Sequence, residues 1–167
     1  MKKTIHTLKF AAMLLLLASF SCEKKEITAL PPETQTGANT FGCYINGELF
    51  VADRDYTPFG RQHVGASYGQ HFIENKKALV FFGYGESGVL SIEIIEPEKE
   101  VYMKAYLIHY RTEHLIYDGE DIGTVYITKL DTVNKIVSGK FNGEFDIDDT
   151  NIKITDGRFD IKLDVSD

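Results

Sequence analysis

The chain has 167 residues, 43% hydrophobic and 26% charged, with 14 Gly, 4 Pro, 2 Cys and no Trp. That composition excludes a disordered or collagen-like chain, and the length suits one domain around a single core. The net charge is −7, or about −10 once the basic N-terminus is discounted, which argues against non-specific nucleic-acid binding, since that needs clustered Lys and Arg.

Residues 1–9 carry Lys2, Lys3 and Lys9 and no acid, and Phe10 to Phe20 is an uninterrupted apolar run. Small residues surround the exit of that stretch at Ala18, Ser19 and Ser21, then comes Cys22. A basic start, an apolar stretch too short to span a bilayer and a small-residue exit are the parts of a secretory signal. Residues 1–21 are therefore expected to be removed.

Residues 22–40 are expected to form a flexible tether. Pro31-Pro32 cannot continue a helix and favours an extended chain, and residues 33–40 contain no apolar side chain but Ala38. From Phe41 onward short apolar segments alternate with turns. Phe41–Ile45 and Glu48–Ala52 flank Asn46-Gly47, a pair that accepts positive φ and predicts a type I′ hairpin. Two weak strands, His63–Ser67 and His71–Ile73, follow. Ala78–Phe82 is apolar throughout and predicts a strand buried on both faces, with a turn over Gly83–Gly88 and a strand over Val89–Ile95. Val101–Tyr110 is ambiguous between a single helical segment and a strand, and its β-branched and aromatic residues favour the strand.

Gly123–Leu130 is a further strand. In Lys135–Ile147, the residues Val137, Gly139, Phe141, Gly143, Phe145 and Ile147 share one face at period two. The in-line glycines predict bending or close packing beneath a large side chain. Asp148–Asn151 reads as a turn. Ile152 and Ile154 precede Asp156-Gly157, after which Phe159, Ile161, Leu163 and Val165 share a face. Nine to eleven strands without a helix predict an all-β fold over residues 41–167, an antiparallel sandwich or barrel-like sandwich.

Leu17-Ala18-Ser19-Phe20-Ser21-Cys22 resembles the lipobox of bacterial lipoproteins. The resemblance implies a diacylglycerol on the Cys22 thiol, cleavage before it and acylation of the new amino group, with palmitate as a typical chain. Several acyl chains hold a protein on a membrane without spanning it. Glu23-Lys24-Lys25-Glu26 is similar to the charged export signals of surface-exposed lipoproteins in Bacteroidota. Residues 31–43 (PPETQTGANTFGC), with Ile45-Asn46-Gly47, resemble the opening of a family of uncharacterised Bacteroidota outer-membrane lipoproteins. Residues 136–141 (IVSGKF) and 154–160 (ITDGRFD) are similar to its closing part. The resemblance implies an outer-membrane location and the domain limits, but no activity. With Cys22 lipidated, Cys43 is left as a lone thiol, expected to be small, apolar and buried.

The remaining constellations favour no chemistry. His109 and His114 could face each other across a hairpin, but two imidazoles, even with Glu113, leave a zinc site short of ligands, and His63 and His71 are scattered. Asp146–Asn151 resembles a calcium loop only in composition, with Asn151 where Gly is needed and Gly157 where Glu is needed. Gly83–Gly88 lacks the Lys-Ser/Thr and helix of a phosphate loop. Gly65-Ala66-Ser67-Tyr68-Gly69 matches a nucleophile elbow formally, without the strand-to-helix context. Tyr56, Phe59, Tyr68, Tyr84, Tyr110 and Tyr117 are candidates for a shared aromatic binding face. The expectation is a lipid-anchored binding or interaction module, not an enzyme, with no cofactor and no metal. Its partners are the membrane and a glycan or protein; the alternative is a purely structural or colonisation-surface lipoprotein.

Overall fold

The computed structural model describes residues 27–57, 62–71, 76–97, 102–104, 106–108, 123–147 and 150–165. Ten strands form over these residues: β1 (Thr40–Ile45), β2 (Glu48–Val51), β3 (Val64–Gln70), β4 (Lys77–Gly85), β5 (Gly88–Ile95), β6 (Tyr102–Lys104), β7 (Tyr106–Ile108), β8 (Gly123–Asp131), β9 (Ile136–Ile147) and β10 (Thr150–Val165). One short 3-10 turn, Arg54–Tyr56, follows β2. The all-β expectation holds.

The strands make two sheets that share β10. The first runs β6-β8-β9-β10-β1-β2 and the second β10-β3-β4-β5-β7. The path β6-β8-β9-β10-β3-β4-β5-β7 ends on two strands separated by one residue in the chain. No ladder joins those two ends among the described residues, so the assembly is an open sandwich and not a closed barrel.

Four expectations need correction. The sheet is not antiparallel throughout: the tail of β10 runs parallel to β3, with Leu163 opposite Ala66 and Val165 opposite Tyr68. The segment expected as one strand over 101–110 yields two three-residue strands, of which β6 joins β8 in the first sheet and β7 joins β5 in the second. A change of sheet within a few residues is invisible to a local pattern, because both partners are distant in sequence. The turn expected over Gly83–Gly88 shrinks to Glu86-Ser87, and Tyr84 lies within β4. Finally, Asp156-Gly157 does not separate two strands. It forms a bulge inside β10, where Ile154 faces Gly143 and Gly157 faces Phe141. Asp156 takes φ 53° there. The bulge restores the phase of the alternation, so Ile152 and Ile154 stay on the core face with Phe159, Ile161 and Leu163.

The predicted hairpin at Asn46-Gly47 forms, with φ of 50° and 84° at the two residues. Asn46 also ties this hairpin to β10, its Oδ1 accepting from the Lys153 amide at 2.7 Å. The core lies between the sheets. Phe81 of β4 stacks on Phe159 of β10 with centroids 4.1 Å apart, and Phe41 of β1 lies 5.1 Å from Phe141 of β9. Gly139 and Gly157 stand directly across from Phe159 and Phe141. An added Cβ would meet those rings at 2.7 and 2.6 Å, so each glycine makes room for an aromatic ring; for Gly139 this is the close packing that the period-two row predicted.

Candidate functional site

Asp160 is the one buried carboxylate among the described residues, 1% exposed. Its neighbours Phe159 and Ile161 point into the core, so strand alternation sends Asp160 to the outer face of the first sheet. An outward Asp is ordinarily wet. Here the chain before β1 covers it.

That chain runs over the outer face of the first sheet as a strap. Leu30 and Pro31 lie against Gly42, and the carbonyl of Pro31 accepts from the Arg158 guanidinium at 3.4 Å. Glu33 pairs with Lys140 at 2.7 Å and stands 3.9 Å from Arg158. The Lys140 hydrogen bond is the main reason the Glu33 carboxyl sits below its ordinary range. The Gln35 carbonyl accepts from Lys129 at 3.0 Å. The strap then reverses into β1, with positive φ at Gly37 (73°) and Asn39 (57°), and the Asn39 side chain accepts from the Lys162 amide at 2.9 Å.

At the reversal the strap closes on Asp160. The Thr34 hydroxyl donates to Oδ2 at 2.5 Å, joined by the amides of Thr36 (3.0 Å) and Ala38 (3.2 Å) and by the Thr36 hydroxyl (3.3 Å). Oδ1 accepts from the Gly37 amide at 2.8 Å and from the Ser138 hydroxyl at 2.7 Å. Ser138 stands directly opposite Asp160 in the β9–β10 ladder. Three successive backbone amides turned on one carboxylate form an anion nest. Burial by itself would push the Asp160 carboxyl up. The hydrogen bonds from Thr34, Ser138, Thr36 and Gly37 overcome it and hold the group well below the usual carboxylate range. All six donors are neutral, so the charge is held by dipoles alone.

Residues 33–39 are therefore docked chain, and the expected tether over 22–40 is corrected across this stretch. A tether reading sees only polar composition; the carboxylate that orders these polar groups lies more than a hundred residues away. Beneath the strap is a cleft of about 150 Å³, lined by Glu33, Thr34 and Gln35 above and Thr128, Lys140 and Arg158 below. It falls short of the roughly 300 Å³ at which small-molecule sites begin.

Cys22, His109, Glu113, His114, Phe59, Tyr110 and Tyr117 lie outside the described residues, as do Asp148 and Asp149 of the acidic loop. Within that loop, the Asn151 side-chain amide donates to Asp146 at 3.0 Å and to Glu144 at 3.4 Å. No group of three metal-ligating side chains occurs among the described residues. His63 and His71 flank opposite ends of β3, and His71 pairs with Glu93 at 3.4 Å. Ser67 sits exposed within β3, and Gly83–Gly88 belongs to the β4–β5 hairpin. Of the aromatic candidates among the described residues, Tyr68 and Tyr84 do not share a face. Tyr68 packs on the core, while Tyr84 is on the opposite face of the second sheet, edge-on to Phe82 at 5.7 Å. Cys43 is free and fully buried, and burial pushes its thiol pKa up, away from reactivity.

Sequence reasoning missed Asp160 and its partners Thr34, Thr36 and Ser138. A signal was present. The TQTGAN stretch and the RFD stretch belong to the opening and closing blocks singled out above, and they are the two halves of this one contact. No protein family, no curated protein and no solved structure matches the chain.

Proposed function

We propose that the chain is an exported lipoprotein of the bacterial outer membrane, anchored through Cys22, whose β domain serves as a binding or interaction module for a glycan or a protein. The observation that carries this is the N-terminal order of Lys2-Lys3, an apolar run over residues 10–20, and Ser21-Cys22. The buried, unreactive Cys43 supports it by leaving Cys22 without a disulfide partner. The docked strap is consistent with an anchor that reaches the domain from this end. No helix of the described residues is long and apolar enough to cross a membrane. The reading contains no catalytic step.

Replacing Cys22 by Ala should release the protein from the membrane fraction and abolish incorporation of a radiolabelled fatty acid. Label retained in that variant would overturn the anchor. Intact cells treated with protease should lose the domain if it faces outward. A glycan array then separates a glycan-binding module from a protein-binding or purely structural one.

A further inference from the structure

We infer that the strap holds the domain broadside on its own membrane, with the outer face of the first sheet as the lipid-facing surface. This rests on the anchor at Cys22 proposed above. The argument begins with where the chain leaves the fold. Leu30 and Pro31 do not depart from an end of the sandwich. They lie over Gly42, in the middle of β1, on the outer face of the first sheet.

The second step is length. An unbound tether from Cys22 to Phe41 would reach about 65 Å at full extension, enough to let a small domain turn freely. The docked strap leaves seven residues between Cys22 and Leu30, a reach of at most about 29 Å whatever their conformation. A short leash attached on a broad face, over β1 and β10, keeps that face toward its attachment. A leash of the same length at a loop would set the domain on end.

The third step is the strength of the docking. The strap is tied to β8 by Lys129, to β9 by Ser138 and Lys140, and to β10 by Arg158, Asp160 and the Lys162 amide. The outer Lys140–Glu33 pair is half exposed and adds little, about 0–1 kcal/mol. The buried Asp160 cluster is the durable tie. Charge does not decide the orientation, because the same face carries Lys129, Lys140, Arg158 and Lys162 beside Glu144, Asp146 and Asp164. The geometry of attachment does. The consequence is that the outer face of β3, β4 and β5, with Ser67, Phe82 and Tyr84, is turned away from the lipid and toward any partner.

The chain has no Trp, so one introduced Trp is a unique fluorescent donor. Asn142→Trp places it on the outer face of β9, and Ser67→Trp on the outer face of β3; both positions are exposed. The protein is purified with its native lipid and inserted in phosphatidylcholine vesicles carrying a dansyl headgroup acceptor. In parallel, the chain from Cys22 is coupled through that thiol to a maleimide phospholipid in the same vesicles, which buried Cys43 does not contest. Energy transfer from Asn142→Trp should exceed that from Ser67→Trp at least about twofold, since the probes are separated by the ~10 Å between packed sheets plus their side chains. A flexible Gly/Ser insert of about 20 residues after Glu26 leaves the strap intact and should erase the difference. Equal transfer from both positions at native length, greater transfer from Ser67→Trp, or indifference to the insert would each overturn the inference. If the natively expressed protein carries no acyl mass on Cys22, the anchor reading fails, while the maleimide-coupled arm still decides the geometry.

Discussion

Asp160 shows what one side chain does when its surroundings are built for its charge. Replacing it with Asn keeps the shape but turns an NH2 group on donors that need an acceptor. At least one strap amide or hydroxyl then loses its partner, so Asp160→Asn should cost roughly 2–4 kcal/mol in denaturant unfolding. The pH dependence has a definite sign. The folded pKa is depressed below the ordinary 3.8, so the stabilisation is fully present above that value and is lost as pH falls through the folded pKa. Wild type should therefore lose stability more steeply than Asp160→Asn between about pH 5 and pH 2, and the two should converge at the acid end. Parallel curves over that range would show that the carboxylate is not held as the six hydrogen bonds require.

At the scale of elements, β9 and β10 carry much of the core, and their register sets the Phe141 and Phe159 contacts. Phe141 is 4% exposed, with the Phe41, Phe81 and Phe159 rings around it. Phe141→Ala should cost about 3–5 kcal/mol, visible as a large fall in denaturant midpoint. Tyr84 belongs to β4 and not to a turn, and its ring meets Phe82 edge-on. Tyr84→Ala should cost about 1 kcal/mol, a modest but measurable loss. Equal effects from the two substitutions would mean that the inner and outer faces have been misassigned. The alternation made the inner face of β9 legible in advance over Val137–Phe141, where Val137 and Phe141 are buried. The partner of each residue was not legible, because ladder pairing depends on the bulge at Asp156 and on β8 and β10 together.

For the whole molecule, the strap changes what counts as the domain. A fragment starting at Phe41 keeps both sheets but strips five of the six donors from Asp160, leaving Ser138. It should fold as a β structure and be less stable than a fragment starting at Ile27 by roughly 2–4 kcal/mol. In the shorter fragment Asp160 is wet, so Asp160→Asn should cost well under the roughly 2–4 kcal/mol it costs with the strap present. A full-sized loss in both fragments would place the energy of Asp160 inside the sheet and not in the strap. A strong helical circular-dichroism signal from either fragment would contradict the fold itself.

The β class, the Asn46-Gly47 hairpin and the inward rows of β9 and β10 were determined by the sequence alone, because period-two alternation and positive-φ turns are local properties of a few adjacent residues. The tertiary structure decided the rest. The parallel pairing of β10 with β3, the split between β6 and β7, and the burial of Asp160 each depend on segments far apart in the chain meeting in space. Thr34 and Asp160 look like ordinary surface residues in their own neighbourhoods. Only the folding of one end of the chain over the other takes the carboxylate out of water and gives the polar strap residues a reason to be ordered.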